Sequence, residues 1–305
     1  DVPLLLTPTG TSENLNYPRT PSIDVYNQIL NDMKAADTMV RPVTAIANSG
    51  SRVTQTVVKG IIARVYMKMA GRPLMLGAPA YDSARTYCLK VINSGLHTLN
   101  TDYKQIFINH SQDKYDNIFR ESMWEIEFYG NNTPTGAVPP GSRFACQLAM
   151  RYAGTDPNPA VVYGYGSYVP SGVLYSIYST YPSDTLRRNW NMPEYTYSAS
   201  TSPRTVSNYA PGTFTFERDC GKWKRDYEVF MPRQRDWGPT NFPVLRYADV
   251  LLMAAEAENE VNGPNATAIG YINQVRTRAR TLQLFAARVP TADAFRKFVQ
   301  DERAR

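Results

Sequence analysis

One segment constrains this chain more than any other: a proline-led extended stretch that turns into a helix, followed after a short break by a second helix. Phe242-Pro243-Val244-Leu245-Arg246 closes an extended run, and the missing backbone donor of Pro243 costs nothing ahead of a helix start. From there Tyr247, Val250, Leu251, Ala254, Ala255 and Glu258 recur at three- and four-residue steps, which predicts a helix with one apolar, small-residue face. Asp249 falls near the positive end of its dipole. Gly263-Pro264 ends it, since glycine accepts the left-handed cap and proline cannot continue the ladder. A second helix carries Ala268, Ile272, Val275 and Ala279 on one face, and so short a break forces the pair to lie antiparallel, with alanines letting the axes approach closely.

Earlier segments follow the same rule. Ser22 is placed to cap a helix from about Ile23 to Met39, with Val25, Ile29, Met33 and Ala36 inward and Asp24 in its first turn. From about Thr54 to Ala70, Val57, Ile61, Val65 and Met69 form one row and Val58, Ile62 and Tyr66 its neighbour. A double row is wide enough to pack against two helices, as tetratricopeptide-like stacks require. Gly71 ends this helix, and Pro73, Gly77 and Pro79 hold the connection open.

Between residues 129 and 172 the character changes. Gly130, Pro134, Gly136, Pro139, Pro140, Gly141, Pro157, Pro159, Gly164, Gly166 and Pro170 exclude a long helix or central strand. Two alternating stretches, Thr213 to Phe216 and Lys222 to Val229, are expected to form a small hairpin. The fold class is therefore mainly α: a tetratricopeptide-like helical hairpin scaffold with a large loop-rich insert and a little β.

The helical pair at 243–280 resembles the C-terminal signature of the SusD/RagB family. The residues that carry the resemblance are Pro243, Arg246-Tyr247-Ala248-Asp249, Leu251-Leu252, Ala255-Glu256-Ala257 and Asn259-Glu260, then Ala268, Ile272-Asn273, Val275-Arg276 and Arg278-Ala279. Weaker echoes are Thr54 to Gly71 followed by Tyr81 to Gly95, Glu121-Ser122-Met123-Trp124-Glu125-Ile126, and Tyr181 to Arg187. The resemblance implies a single SusD-like domain over 1–305, cut short at both ends, with a helical scaffold at 22–95, a loop-rich ligand-facing region at 121–230 and the signature hairpin at 243–280. It also implies a surface-exposed lipoprotein of the outer membrane, anchored by a lipid on a cysteine upstream of Asp1. Such a protein captures oligosaccharides or, in some members, peptides for a SusC-like TonB-dependent transporter, without catalysis. Arg296 to Arg305 resembles the start of a further family helix.

Composition narrows the function classes. With 43% hydrophobic and 20% charged residues, the chain can bury an ordinary globular core. The net charge of +6 is spread out, not clustered as a nucleic-acid binder would have it; Arg276, Arg278 and Arg280 form its densest group, for which a solvated surface is the plain reading and the family pattern a structural one. Cys88, Cys146 and Cys220 make an odd count without zinc-like spacing, with Cys88 on a buried helix face and a Cys146–Cys220 bridge as the one pairing to consider. No run approaches the roughly 20 apolar residues of a membrane span, and Leu4-Leu5-Leu6 is too short to be read as the apolar region of a signal peptide. His97 and His110 read as loop residues at the surface without a carboxylate partner nearby, and no nucleophile elbow, HExxH pair or phosphate-binding loop occurs. No catalytic residue, metal site or cofactor is expected. Glu256 is expected to meet Arg276 or Asn273 across the hairpin.

The 21 tyrosines give the functional lead, since a tyrosine offers a flat apolar face and a polar tip. Tyr163, Tyr165 and Tyr168 are separated by glycine and serine; Tyr129 is followed by Asn131 and Asn132, and Trp190 by Asn191. Rings in such loops suit stacking on sugar faces while amides meet the hydroxyls. The expected ligand-binding set is Tyr129, Asn131, Asn132, Tyr163, Tyr165, Tyr168 and Trp190. A protein–protein scaffold without a small ligand is the rival reading, and a glycoside hydrolase with an unrecognised carboxylate pair a more distant one.

Overall fold

A computed structural model describes residues 2–8, 16–130, 141–144, 184–193, 195–197, 206–208, 220–230 and 237–305. Helices α1 (Ser22–Met39), α2 (Gln55–Ala70) and α3 (Ala78–Ile92) pack in succession, each against the next. The double row of α2 serves two neighbours: Val58, Ile62 and Met69 join the cluster that α1 completes, while Val57 and Ala63 face the main core with Cys88 and Val91 of α3. In α1 Met33 and Ala36 of the expected row pack inward, but Tyr26 and Leu30 take the places expected for Val25 and Ile29; Leu30 is the buried residue, with Ile23 beside it. Pro21, not Ser22, holds the N-cap position, with no side-chain cap bond.

After α4 (Tyr103–Gln112) comes strand β1 (Ser122–Ile126), later paired antiparallel with β4 (Phe242–Arg246). Between them lie the short helix α5 (Thr185–Asn191) and a second two-stranded pair, β2 (Tyr195–Tyr197) with β3 (Val206–Asn208). Of the hairpin expected from Thr213–Phe216 and Lys222–Val229, the second stretch holds no strand, Arg225–Tyr227 being a single 3-10 turn, and Thr213–Phe216 lie outside the described residues.

Strand β4 runs directly into α6 (Tyr247–Asn262), and α7 (Ala266–Arg278) returns antiparallel to it. Gly263 caps α6 at φ 74°, and Asn265 caps α7 by accepting a hydrogen bond from the Ala268 amide at 2.9 Å. Helix α8 (Ala292–Ala304) covers the remaining side of α6. The sequence shows one apolar face on α6, but Leu252, Met253 and Ala257 are buried too, because α3, α7 and α8 all pack on this helix. Phe295, Phe298 and Val299 of α8 complete the main core.

Buried ion pairs tie these layers together. Glu302 accepts from Arg187 at 2.8 Å, Arg276 at 2.6 Å and Arg305 at 2.9 Å, and Asp184 also pairs with Arg187. Glu121 pairs with Arg278 at 2.7 Å and Arg246 at 3.3 Å. Arg276 and Arg278 are therefore interior struts, not a solvated surface, whereas Arg280 is exposed. Glu256 meets Arg303 at 3.4 Å instead of Arg276 or Asn273; Asn273 instead clamps the backbone of Leu284 through both amide atoms. Among the described residues no helix is long and apolar enough to cross a membrane.

Candidate functional site

The paired strands β1 and β4 carry their ends out of the helical core and into an aromatic patch. Opposed at the end of the ladder, Ile126 and Phe242 are both exposed. Just beyond Ile126, the amide of Phe128 donates to Asn241 Oδ1 at 2.9 Å, and the buried Asn241 donates from Nδ2 to Glu125 at 3.1 Å and Asp113 at 3.0 Å. Asn241 thus fixes the exit of both strands with every polar atom of its amide engaged.

Three loop segments converge beside this exit. A Cβ on Gly141 would lie 2.4 Å from the Gly130 carbonyl oxygen and 2.6 Å from that of Gly238, so only glycine permits the approach. Ser142 and Gly238 exchange backbone hydrogen bonds at 2.7 and 2.9 Å. This arrangement presents Tyr129, 58% exposed, edge-on to Phe230 with ring centroids 4.9 Å apart. Phe144 packs edge-on against both Trp223 (4.6 Å) and Phe242 (5.0 Å), and Arg143 lies over the Trp237 ring. A patch of ring edges and faces, held by glycine contacts and buried amides, can bind a ligand's apolar faces without reorganising.

Of the expected ligand residues, Tyr129 stands at this patch. Asn131, Asn132, Tyr163, Tyr165 and Tyr168 lie outside the described residues, as does Cys146 of the considered bridge. Trp190 sits in α5, not in a loop. It is buried, its Nε1 donates to the Lys222 carbonyl at 3.1 Å, and the Lys224 ammonium lies 4.3 Å from its ring centre. Burial pushes the Lys224 ammonium down to about 8, with Asp226 and Cys220 opposing that shift. Phe144, Phe230, Trp237 and Phe242 were not singled out from the sequence. Trp237-Gly238-Pro239 carried the same glycine–proline signal that marked the tyrosines.

Both histidines are interior residues. His97 bridges the Arg120 carbonyl and Thr56 Oγ1, each at 2.8 Å, and burial holds its pKa below the usual histidine value. His110 lies on α4, where Nδ1 accepts from the Trp223 indole at 3.3 Å while Nε2 faces Ser122 Oγ (3.1 Å) and Glu125 (3.3 Å). Serine and carboxylate share one ring nitrogen, so His110 cannot relay a proton between them as a triad base does. For Glu125, burial pushes the pKa up, but His110, Ser122 and Asn241 outweigh it and keep the carboxylate ionised. Burial pushes the Cys88 thiol far up, away from nucleophilic chemistry. Among the described residues no group of three or more His, Cys, Asp or Glu is placed to hold a metal.

The chain is similar to known proteins in sequence and in fold. Residues 160–305 match the model of the SusD family. SusD-like protein P25 of Formosa agariphila is 23% identical over 330 residues, covering 99% of this chain and 56% of that protein. A crystal structure of a SusD homolog from Bacteroides thetaiotaomicron superposes with a TM-score of 0.77 at 24% identity, over 94% of this chain and 57% of that one. Surface glycan-binding protein A from the same organism, in complex with laminarihexaose, superposes with a TM-score of 0.59 at 19% identity, over 92% of this chain and 58% of that one. The chain thus spans a little over half the length of these relatives.

Proposed function

Since this chain is SusD-like in sequence and in fold, we propose that it captures oligosaccharides at the bacterial cell surface and hands them to a TonB-dependent outer-membrane transporter, without cleaving them. In this reading a lipid anchor upstream holds the protein at the outer membrane, and residues 121–230 face the ligand. The observation that carries it is the exposed ring of Tyr129, buttressed edge-on by Phe230 at the mouth of the glycine-braced loops. A ring held by its neighbours pays little entropy on binding and offers its free face to a sugar's C–H groups. The laminarihexaose-bound relative shares the scaffold on which this patch stands. Tyr163, Tyr165 and Tyr168 remain in the proposed set, while Trp190 serves as a buried support beneath the rim, not as a stacking face.

The test is calorimetry of the purified chain against a panel of neutral oligosaccharides that includes laminarihexaose. Tyr129→Ala is expected to weaken binding about tenfold, the loss of one anchoring aromatic, with an unchanged melting curve. Tyr129→Phe keeps the ring and is expected to bind like the parent. Equal affinity of Tyr129→Ala and the parent overturns the assignment of this ring. Incubation with the same panel is expected to give no hydrolysis products. Turnover that disappears on substituting one carboxylate would make the chain an enzyme.

A further inference from the structure

A groove of about 630 Å³ opens on the helical scaffold and shares no lining residue with the aromatic patch. It is bounded by the segment after α3, by Tyr247 at the start of α6, by α7 and by the turn that follows α7. Thr98 and Thr101 contribute hydroxyls from the first of these, and Gln274 and Thr277 contribute an amide and a hydroxyl from the second. Its charged residues are Arg278 and Arg280, and no aspartate or glutamate lines it.

The two arginines differ in a way that suits a binding site. Arg278 is held by the interior: its Nη1 donates to Glu121 at 2.7 Å, and its Nε is buried without a partner among the described residues. Arg280 is exposed, directly beyond α7, and takes a left-handed backbone at φ 55°. A residue with a Cβ pays for that conformation, and such strain persists where the surrounding structure needs it. Its guanidinium has no ion-pair partner among the described residues.

We propose that this groove is a second binding site, for an oligosaccharide that carries a uronate carboxylate or a sulfate ester. A guanidinium presents a planar fork of donors that matches either anion, which a neutral sugar does not repay. The threonines and glutamines match sugar hydroxyls, and Leu99 supplies apolar surface for ring C–H groups. Helix and loops line the groove without a strand edge, so a peptide has no ladder to extend. The net charge of +6 favours the approach of an anionic chain. The class of ligand rests on the glycan-capture reading; the site and its charge rest on the groove.

The experiment uses calorimetry of the purified chain with four probes: oligogalacturonate, a sulfated galactan oligosaccharide, neutral laminarihexaose and a poly-glutamate peptide. Two variants are compared with the parent. Arg280→Asn removes the charge while keeping a residue that accepts the left-handed backbone. Gly270→Phe fills the groove, and a Cβ there meets nothing within 4 Å, on a helix where glycine is itself unfavourable. Expected is binding of at least one acidic glycan that weakens with added salt, falls about tenfold in Arg280→Asn and is lost in Gly270→Phe. Whichever acidic probe binds tighter identifies the anion. Laminarihexaose affinity is expected to be the same in all three proteins. The proposal is overturned if acidic glycans bind no tighter than laminarihexaose, if both variants bind them like the parent, or if poly-glutamate binds in their place. Binding of laminarihexaose alone leaves glycan capture standing and removes only the groove; binding of no glycan removes both.

Discussion

Replacing Glu302 with alanine is expected to destabilise the protein by about 3–5 kcal/mol, the usual consequence of leaving buried charges uncompensated. Glu302 is 2% exposed and joins three arginines: Arg187 from α5, Arg276 from α7 and Arg305 at the end of α8. Alanine leaves those guanidinium groups in the interior without the carboxylate that offsets their desolvation. The same site predicts a pH dependence. Burial alone pushes the Glu302 carboxyl up, but Arg187, Arg276 and Arg305 outweigh it and hold its pKa below the usual glutamate value. A depressed folded-state pKa means stability that is fully present above the unfolded value of roughly 4.3 and lost as pH falls through the folded value. Melting temperatures of the parent and Glu302→Gln, measured from neutral pH downward, are therefore expected to differ most at neutral pH and to converge in strong acid. A gap that stays constant with pH contradicts the ionised-carboxylate account.

Ala255→Trp is expected to cost about 3 kcal/mol or more, at the upper end of what overpacking does in a core. Ala255 is 0% exposed on α6, the helix that α3, α7 and α8 enclose. An indole has no cavity to enter there, so a helix must move away or the side chain must leave its rotamer. Urea unfolding compared with the parent measures the loss through the midpoint. An unchanged midpoint would show that this face of α6 is not packed.

Elements defined by near neighbours in the chain were legible in advance. Ala268, Ile272, Val275 and Ala279 repeat at helical spacing and are all buried; Gly263 and the residues around it mark the break between α6 and α7. The double row of α2 announced a helix with two neighbours, and the structure supplies them in α1 and α3. Tyr129 was legible as an exposed ring because glycine and asparagine follow it. Trp190 carried a similar local signal and was misread: a seven-residue helix is too short to show a period, and the lysines and Tyr227 that enclose the ring come from elsewhere in the chain.

Partners of buried polar groups were hidden for the same reason. His97 and His110 looked like surface residues because the groups that satisfy them, Thr56, Trp223 and Glu125 among them, arrive from other elements. Glu256 meets Arg303, and Arg276 meets Glu302, because α8 lies against α6 where the hairpin alone shows an open face. By itself the sequence determined the long periodic helices near 22–39 and 54–70, where the signature hairpin turns and which residues its core face buries, since these depend on spacing within a few turns; the shorter α4 and α5 were read as loops. Only the tertiary structure decided which charges neutralise one another, which rings form a surface, and that Arg278 and Arg280 share a groove. Those outcomes depend on contacts between residues far apart in the chain, such as Arg278 with Glu121, 157 positions away, for which chain spacing carries no signal.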